Sequence, residues 1–362
     1  MAVSVTVATI WLGITLLALL ITTAVLTVGR SVFTARRDAK EATLRETLKS
    51  AVQAEIDAGS STVAWADRSL SEAEQRVLMR LLHSYLTILD GAAKDRLAAI
   101  AFAVGLDKRA RRTIASGTPN RQRAALAFLS AVNADVDPTF LFEHCSDHLT
   151  TRVAATRMLL DRADPNPDRL LSFLLEPGQP LPLRGMDVLL ELFHRDPGRF
   201  LARASDDSST WNRPLIIQVL TVIGQGFPQQ TDEPLAWVID IALPQTGFVF
   251  QASVDLRLAA IRALTPYGWR ADLRATLDVE RLLNDPSPRI RQAAYELLGA
   301  WGDEAAIDQV AEALATERDD RARLRGSEAI YPNRPATGPE SSPLTGTLEW
   351  VRAEARAVEG RR

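Results

Sequence analysis

One motif returns along this chain at a nearly constant step, and that return limits the fold more than any other feature. Its clearest copy lies in Leu283 to Gly302, LNDPSPRIRQAAYELLGAWG. Asn284-Asp285-Pro286 stops a helix, because proline lacks an N–H and disfavours helix in the residue before it. Pro288 stands near the start of the next helix, where a missing N–H costs little. Ile290, Ala293, Ala294, Leu297 and Leu298 recur at helical spacing, and Gly299 and Gly302 sit at the far end, where a left-handed cap is common. The stretch therefore reads as the joint between two antiparallel helices.

The core of the unit is Arg-x-Ala-Ala-x-x-x-Leu, here Arg291, Ala293, Ala294 and Leu298. A step of 34 back lands on Arg257, Ala259, Ala260 and Leu264, with Gly268 in the place of Gly302. Earlier copies hold Arg152, Ala154, Ala155 and Leu159, then Ala124, Ala125 and Leu129 with Gln122 at the arginine position, then Arg96, Ala98 and Ala99. Fainter copies fall near Arg184 and Arg213, and a step of 34 forward puts a degenerate last copy at Arg325. The successive steps are about 26, 30, 32, 29, 44, 34 and 34, the range of stacked helical units. A helix pair cannot bury its apolar face alone, so each pair stacks on its neighbours. The small alanine pair lets helices approach and the leucine fills the seam. The longest step implies an insertion, with Pro244 to Val249 of loop composition.

The residues Asp285-Pro286, Ile290-Arg291 and Ala293-Ala294 resemble those of HEAT repeats, in particular the short bacterial repeats also found in phycobilin-lyase-like proteins. The resemblance covers about residues 93 to 331. It implies an all-α, right-handed α-solenoid of about seven helix pairs. It also implies a ladder between repeats made by the turn aspartate and the arginine of the second helix, positions that Asp285 and Arg291 match. Arg257, Arg152 and Arg96 hold the arginine position in other copies, where the aspartate is missing. A repeat fold of this kind says little about activity.

Before the repeats, Ala2 to Gly29 contains no charged residue. As a helix it would be about 42 Å long, more than the roughly 30 Å hydrocarbon core of a bilayer. It reads as a single transmembrane anchor over residues 1–30, since a cleaved signal peptide would carry a basic start and a shorter apolar run. Arg30, Arg36, Arg37 and Lys40 follow directly, so the positive-inside rule sets the rest of the chain in the cytoplasm, at the inner membrane. Residues 31–92 form a helical connector and cap: Ala42, Leu44, Leu48 and Val52 make a thin apolar stripe, and Ser69 and Ser71 each precede a glutamate by three residues, a capping-box pattern. The solenoid occupies 93–331. Residues 332–362 open with a Pro/Gly/Ser-rich linker and end in a short helix.

The formal net charge of −3 is too mild to argue for nucleic acid. A single cysteine, Cys145, excludes an internal disulfide. His144 and His148 are the weak metal candidates, four apart and on one face if helical, but two ligands do not close a site. Lys108, Arg109, Arg111 and Arg112 crowd four cations into five positions. They are a solvated turn between repeats or, near an anchor, a contact for anionic headgroups. Trp211, Trp237, Trp269 and Trp301, with Tyr267 and Tyr295, suit packing between repeats. No catalytic residue, cofactor site or phosphate loop can be read.

These features together describe a non-catalytic adaptor that binds membrane-associated protein partners. The layout of one span followed by HEAT-like repeats resembles bacterial companions of membrane glycosyltransferases that make envelope polysaccharide, and by that analogy a glycosyltransferase is a candidate partner. The alternatives are an enzyme of the lyase or DNA-glycosylase type on the same repeats, and a binder of anionic lipid or nucleic acid.

Overall fold

A computed structural model of the chain describes residues 41–57, 69–162, 166–176, 178–226, 235–244 and 253–332, with a few isolated positions besides. Every regular element among the described residues is helical. The chain divides into two compact units, residues 1–137 and 138–362. Residues 2–29, the expected anchor, lie almost wholly outside the described residues, as do Pro244–Val249 beyond Pro244 and nearly all of 332–362. Among the described residues no helix is long and apolar enough to cross a membrane.

The first unit holds α1 (41–57), α2 (Glu72–Leu86), α3 (Ala92–Ala103), α4 (Leu106–Ser116) and α5 (Pro119–Ala131). Of the two serines in capping-box position, Ser71 caps α2. Its Oγ accepts the Glu74 N–H at 3.3 Å, and Glu74 Oε2 accepts the Ser71 N–H at 2.8 Å. Such a cap satisfies two donors that a helix start otherwise leaves open. The apolar face of α2 is inside: Val77, Leu78, Leu81, Leu82 and Leu86 are buried. Helix α2 packs on α3 and α5, and α4 packs on α5. From α1, Leu48 and Val52 are buried, and Arg96 of α3 donates from Nη1 to the Ile56 carbonyl at 3.0 Å.

The second unit runs α6 (Pro138–His144), α7 (Leu149–Leu160), α8 (Pro167–Leu175), α9 (Leu183–Arg195), α10 (Pro197–Asp207), α11 (Arg213–Gln225), α12 (Ala236–Ala242), α13 (Val254–Leu264), α14 (Ala271–Thr276), α15 (Val279–Leu283), α16 (Pro288–Trp301), α17 (Glu304–Thr316) and α18 (Asp320–Ile330). Helices α7, α9, α11, α13, α16 and α18 form one layer, each packed on the next. The intervening helices lie against them, α12 on α13, α15 on α16 and α17 on both α16 and α18. Helix order thus follows chain order, and contacts are made with near neighbours in sequence.

Why α16 is the best-defined copy follows from what surrounds it. Helices α13, α15, α17 and α18 cover it on most sides, so Ile290, Ala293, Ala294, Tyr295, Leu297, Leu298 and Trp301 are all buried. Each large aliphatic among them contributes about 1.5–3 kcal/mol by leaving water. In four of the five alanine pairs the second member is buried, at Ala125, Ala155, Ala260 and Ala294, while Ala99 is half-buried. Gly299 lets α18 come closer still, since a Cβ there would lie 2.6 Å from the Ala329 carbonyl oxygen. Gly302 ends α16 at φ +70°, the left-handed cap, and Gly268 has φ +60° at the matching position.

Candidate functional site: an inter-repeat ladder and an arginine face

The arginines of the repeat act as ties between turns. Arg291 donates from Nη1 to the Asp285 carbonyl oxygen of its own turn at 2.7 Å. From Nε and Nη2 it then grips Glu317 of the next turn at 2.8 and 2.7 Å. Arg257 does the same one step earlier, with Nε on the Ala242 carbonyl at 3.0 Å and Nη2 on Asp285 at 2.5 Å. Asp285 in turn accepts the Ser287 N–H at 2.9 Å, which fixes the turn before α16. The ladder therefore runs Arg257 to Asp285, then Arg291 to Glu317. Asp285 and Arg291 occupy adjacent rungs and are linked through a main-chain oxygen.

The last rung corrects the expected register. Arg323, six residues after Glu317, donates to the Glu317 carbonyl oxygen at 3.1 Å, as Arg291 does to Asp285 six residues before it. Arg325 instead pairs with Glu328 on the exposed side of α18, at 2.7 Å. The final step is thus 32 residues, from Arg291 to Arg323, and a constant step of 34 overshoots it.

Glu317 is the most committed acid of the second unit. It also accepts the Tyr295 hydroxyl at 2.8 Å and the Asp319 N–H at 2.9 Å. Burial would raise its carboxyl, but the hydrogen bonds from Arg291, Asp319 and Tyr295 outweigh burial and hold it at about 2. The Arg291 guanidinium is raised by Glu317, and the Tyr295 hydroxyl is raised by burial and by its bond to the carboxylate.

Arg152 keeps half of this pattern. Its Nη2 donates to the Ser146 carbonyl, again six residues back, and its guanidinium lies 5.5 Å from the Phe173 ring centre. Its Nε and Nη1 are buried and find no hydrogen-bond partner among the described residues. Burial lowers the Arg152 guanidinium, with Glu176 and Asp147 working against that. In the copy at Gln122 an amide replaces the arginine, and Gln122 Nε2 donates to the Ile114 carbonyl at 2.7 Å.

Helix α6 ends at His144, and His148 is the N-cap position of α7, so the two imidazoles do not share one helix. His144 packs edge-on against Phe140 with ring centres 4.5 Å apart. Among the described residues no three His, Cys, Asp or Glu side chains converge as a metal ion requires. Cys145 is buried, and burial pushes its thiol up to about 11.

Lys108, Arg109, Arg111 and Arg112 lie within α4 itself rather than in a turn. Arg109 donates to Gln75 at 2.8 Å and Arg111 to the Asp135 carbonyl. Lys108 and Arg112, one helical turn apart, are the exposed members. Trp211 and Trp301 are buried, whereas Trp269 is 55% exposed although it holds a place comparable to Trp301.

Two cavities open on the last repeats. One, of about 450 Å³, lies over the Arg291–Tyr295–Glu317 network. The other, of about 480 Å³, lies across α13, α16 and the start of α18 and is lined by Arg262, Arg289 and Arg321. Arg289 meets Asp255 at 2.9 Å. Arg262 and Arg321 are exposed, and neither has a hydrogen-bonded or ionic partner among the described residues.

A layer of stacked helix pairs, tied turn to turn by buried arginine–carboxylate bonds, defines a helical-repeat protein. Residues 250–330, which hold both complete rungs of the ladder, match the HEAT repeats family. No curated protein and no solved structure matches the chain.

Proposed function

We propose that this chain is a non-catalytic HEAT-repeat scaffold, held at the cytoplasmic face of a membrane by residues 2–29, that docks membrane-associated protein partners. One observation carries the reading: the most strongly perturbed acid of the repeats, Glu317, is spent on holding neighbouring repeats together. A carboxylate locked at about 2 by an arginine and a tyrosine is ionised at any physiological pH and is a poor proton donor. Polar groups used in this way build a rigid surface rather than a reaction centre. The HEAT repeats match agrees, because such repeats present extended surfaces to other proteins.

The membrane part of the proposal rests on the uncharged run Ala2–Gly29 and the basic residues Arg30, Arg36, Arg37 and Lys40 after it. Tethering would raise the effective concentration of the scaffold for partners in the same bilayer. A glycosyltransferase is proposed as the partner on layout alone. Membrane fractionation tests the anchor. The full chain should resist alkaline carbonate extraction and be cleaved by protease only from the cytoplasmic side. Release into the soluble fraction, or cleavage from the opposite side, refutes it.

A further inference from the structure

The second cavity differs from the first in what its guanidinium groups have left to bind. In the first, Arg291 is already saturated by Glu317 and the turn carbonyls, which leaves Arg318 as the single guanidinium there without a partner among the described residues. In the second, three guanidinium groups from successive helices of one layer face a space of about 480 Å³. Among the described residues two of them, Arg262 and Arg321, have no anion, and the third, Arg289, is held only by the exposed Asp255. The one acid in the lining, Asp319, is turned to its own helix, where Oδ1 accepts the Ala322 N–H at 2.8 Å. Guanidinium groups hold carboxylates and phosphates through paired N–H donors, so an open cluster of them is a site for such groups.

We propose that the cavity formed by Arg262, Arg289 and Arg321 binds an acidic segment of a partner protein, taking its carboxylate or phosphoryl side chains. The proposal rests on the scaffold reading above and gives its docking surface a chemistry. Charge and shape favour a peptide over the other anionic partners. Three arginines opposed by Asp319 and Asp255 leave too small a surplus to follow a nucleic-acid backbone, where tight binders neutralise roughly 6–10 phosphates. The arginines line a recess rather than a flat basic stripe, and a recess admits a side chain but not a bilayer surface. Leu258 and Pro288 add apolar lining against which the aliphatic part of a glutamate or phosphoserine segment can lie, and Gln292 adds an amide.

The test uses the full-length protein in detergent and fluorescence polarisation of labelled peptides. The probes are a short poly-glutamate peptide, a phosphoserine peptide and a poly-glutamine peptide of the same length. The acidic probes should bind and the glutamine probe should not, with affinity falling as salt rises. Arg262→Glu with Arg321→Glu should weaken the acidic probes by about tenfold or more. The same change of charge at Arg121→Glu with Arg123→Glu should leave them within about twofold. Both pairs are exposed, and circular dichroism checks that each variant is folded. Arg262→Gln with Arg321→Gln repeats the test without reversing charge. A preference for the phosphoserine or the glutamate probe assigns the source of the anion. Failure of both acidic probes to bind overturns the proposal, and so does equal weakening by the two charge-reversed variants. Binding of phosphatidylserine vesicles through Arg262 and Arg321, without peptide binding, also overturns it. If a partner still co-purifies with the Arg262→Glu, Arg321→Glu variant while peptides do not bind, this site falls and the scaffold stands. If peptides bind but no partner co-purifies, the reverse holds.

Discussion

Replacing Glu317 by alanine should cost the second unit about 3–4 kcal/mol. The side chain is 1% exposed and accepts four hydrogen bonds: two from Arg291 at 2.7 and 2.8 Å, one from the Tyr295 hydroxyl at 2.8 Å and one from the Asp319 N–H at 2.9 Å. Breaking a buried ion pair from one side costs about 3–5 kcal/mol, because the other charge stays behind unpaired. Arg291 is 18% exposed and regains some water, which lowers that figure. The Tyr295 hydroxyl is deeply buried and regains little, which adds about 1–3 kcal/mol for a stranded donor. These terms overlap and do not add. Glu317→Gln keeps the shape and loses the charge, and should cost about 2–3 kcal/mol. The assay is hydrogen exchange of α16 and α18 amides, because neighbouring repeats can open separately.

The same carboxylate sets a pH dependence. Its value in the folded chain, about 2, lies below the ordinary 4.5, so its contribution is complete above about pH 4.5 and is lost as pH falls towards 2. The full shift corresponds to about 3 kcal/mol, and solvent near Arg291 reduces it to about 2–3 kcal/mol. The difference in urea stability between the natural chain and Glu317→Gln should therefore shrink between pH 4.5 and 2. A loss below about 0.5 kcal/mol for Glu317→Ala, with a difference that stays flat through that window, would show an ordinary surface pair and refute the reasoning.

Three other perturbations separate the roles assigned above. Gly299→Ala should destabilise by about 1–3 kcal/mol in urea titrations, because the new Cβ meets the Ala329 backbone, which outweighs the roughly 1 kcal/mol gain in helix propensity. Arg152→Met should be within about 1 kcal/mol of neutral, since two of the Arg152 nitrogens are buried without partners, whereas Arg291→Met should cost about 3–5 kcal/mol by stranding Glu317. Denaturation of the two variants side by side decides this, and equal losses would mean that Arg152 has an anion after all. Cys145 should react with an aromatic disulfide reagent only after unfolding, given a buried thiol raised to about 11. Rapid labelling of the native chain would contradict that.

The fold was legible where one residue type has one physical use. Proline at a helix start and glycine at a positive-φ helix end mark Pro288, Gly268 and Gly302 without any knowledge of neighbours. Periodic apolar residues gave the buried face of α16 for the same reason. The ladder was half legible. Asp285 was visible because a proline follows it, but Glu317 stands in Thr316-Glu317-Arg318 with no such mark, and a glutamate before a charged residue reads as surface. The usable signal was an interval rather than a motif: an arginine six residues after a turn residue, seen at Ser146 and Arg152, Asp285 and Arg291, and Glu317 and Arg323. That interval is set by how far a guanidinium reaches back over the first turn of its own helix, so it persists when the step between repeats drifts from 34 to 32. The arginine face was legible only in part. Arg289 and Arg321 are each the second residue of their helices, two before Arg291 and Arg323, but Arg262 lies near the far end of α13 and joins them only because α13, α16 and α18 follow one another in the layer. Conversely, the run Lys108 to Arg112 looked like one basic patch, yet the helix turns Arg109 and Arg111 onto internal partners.

The most direct test of the scaffold at a membrane is the composition of what it holds there. The full chain and a variant lacking residues 1–30 would be purified from native membranes in mild detergent, and their partners identified and quantified. One membrane protein should come down in fixed stoichiometry with the full chain and be lost or sharply depleted with the shortened one. A full chain that purifies alone, or a partner retained equally by the shortened chain, would contradict it.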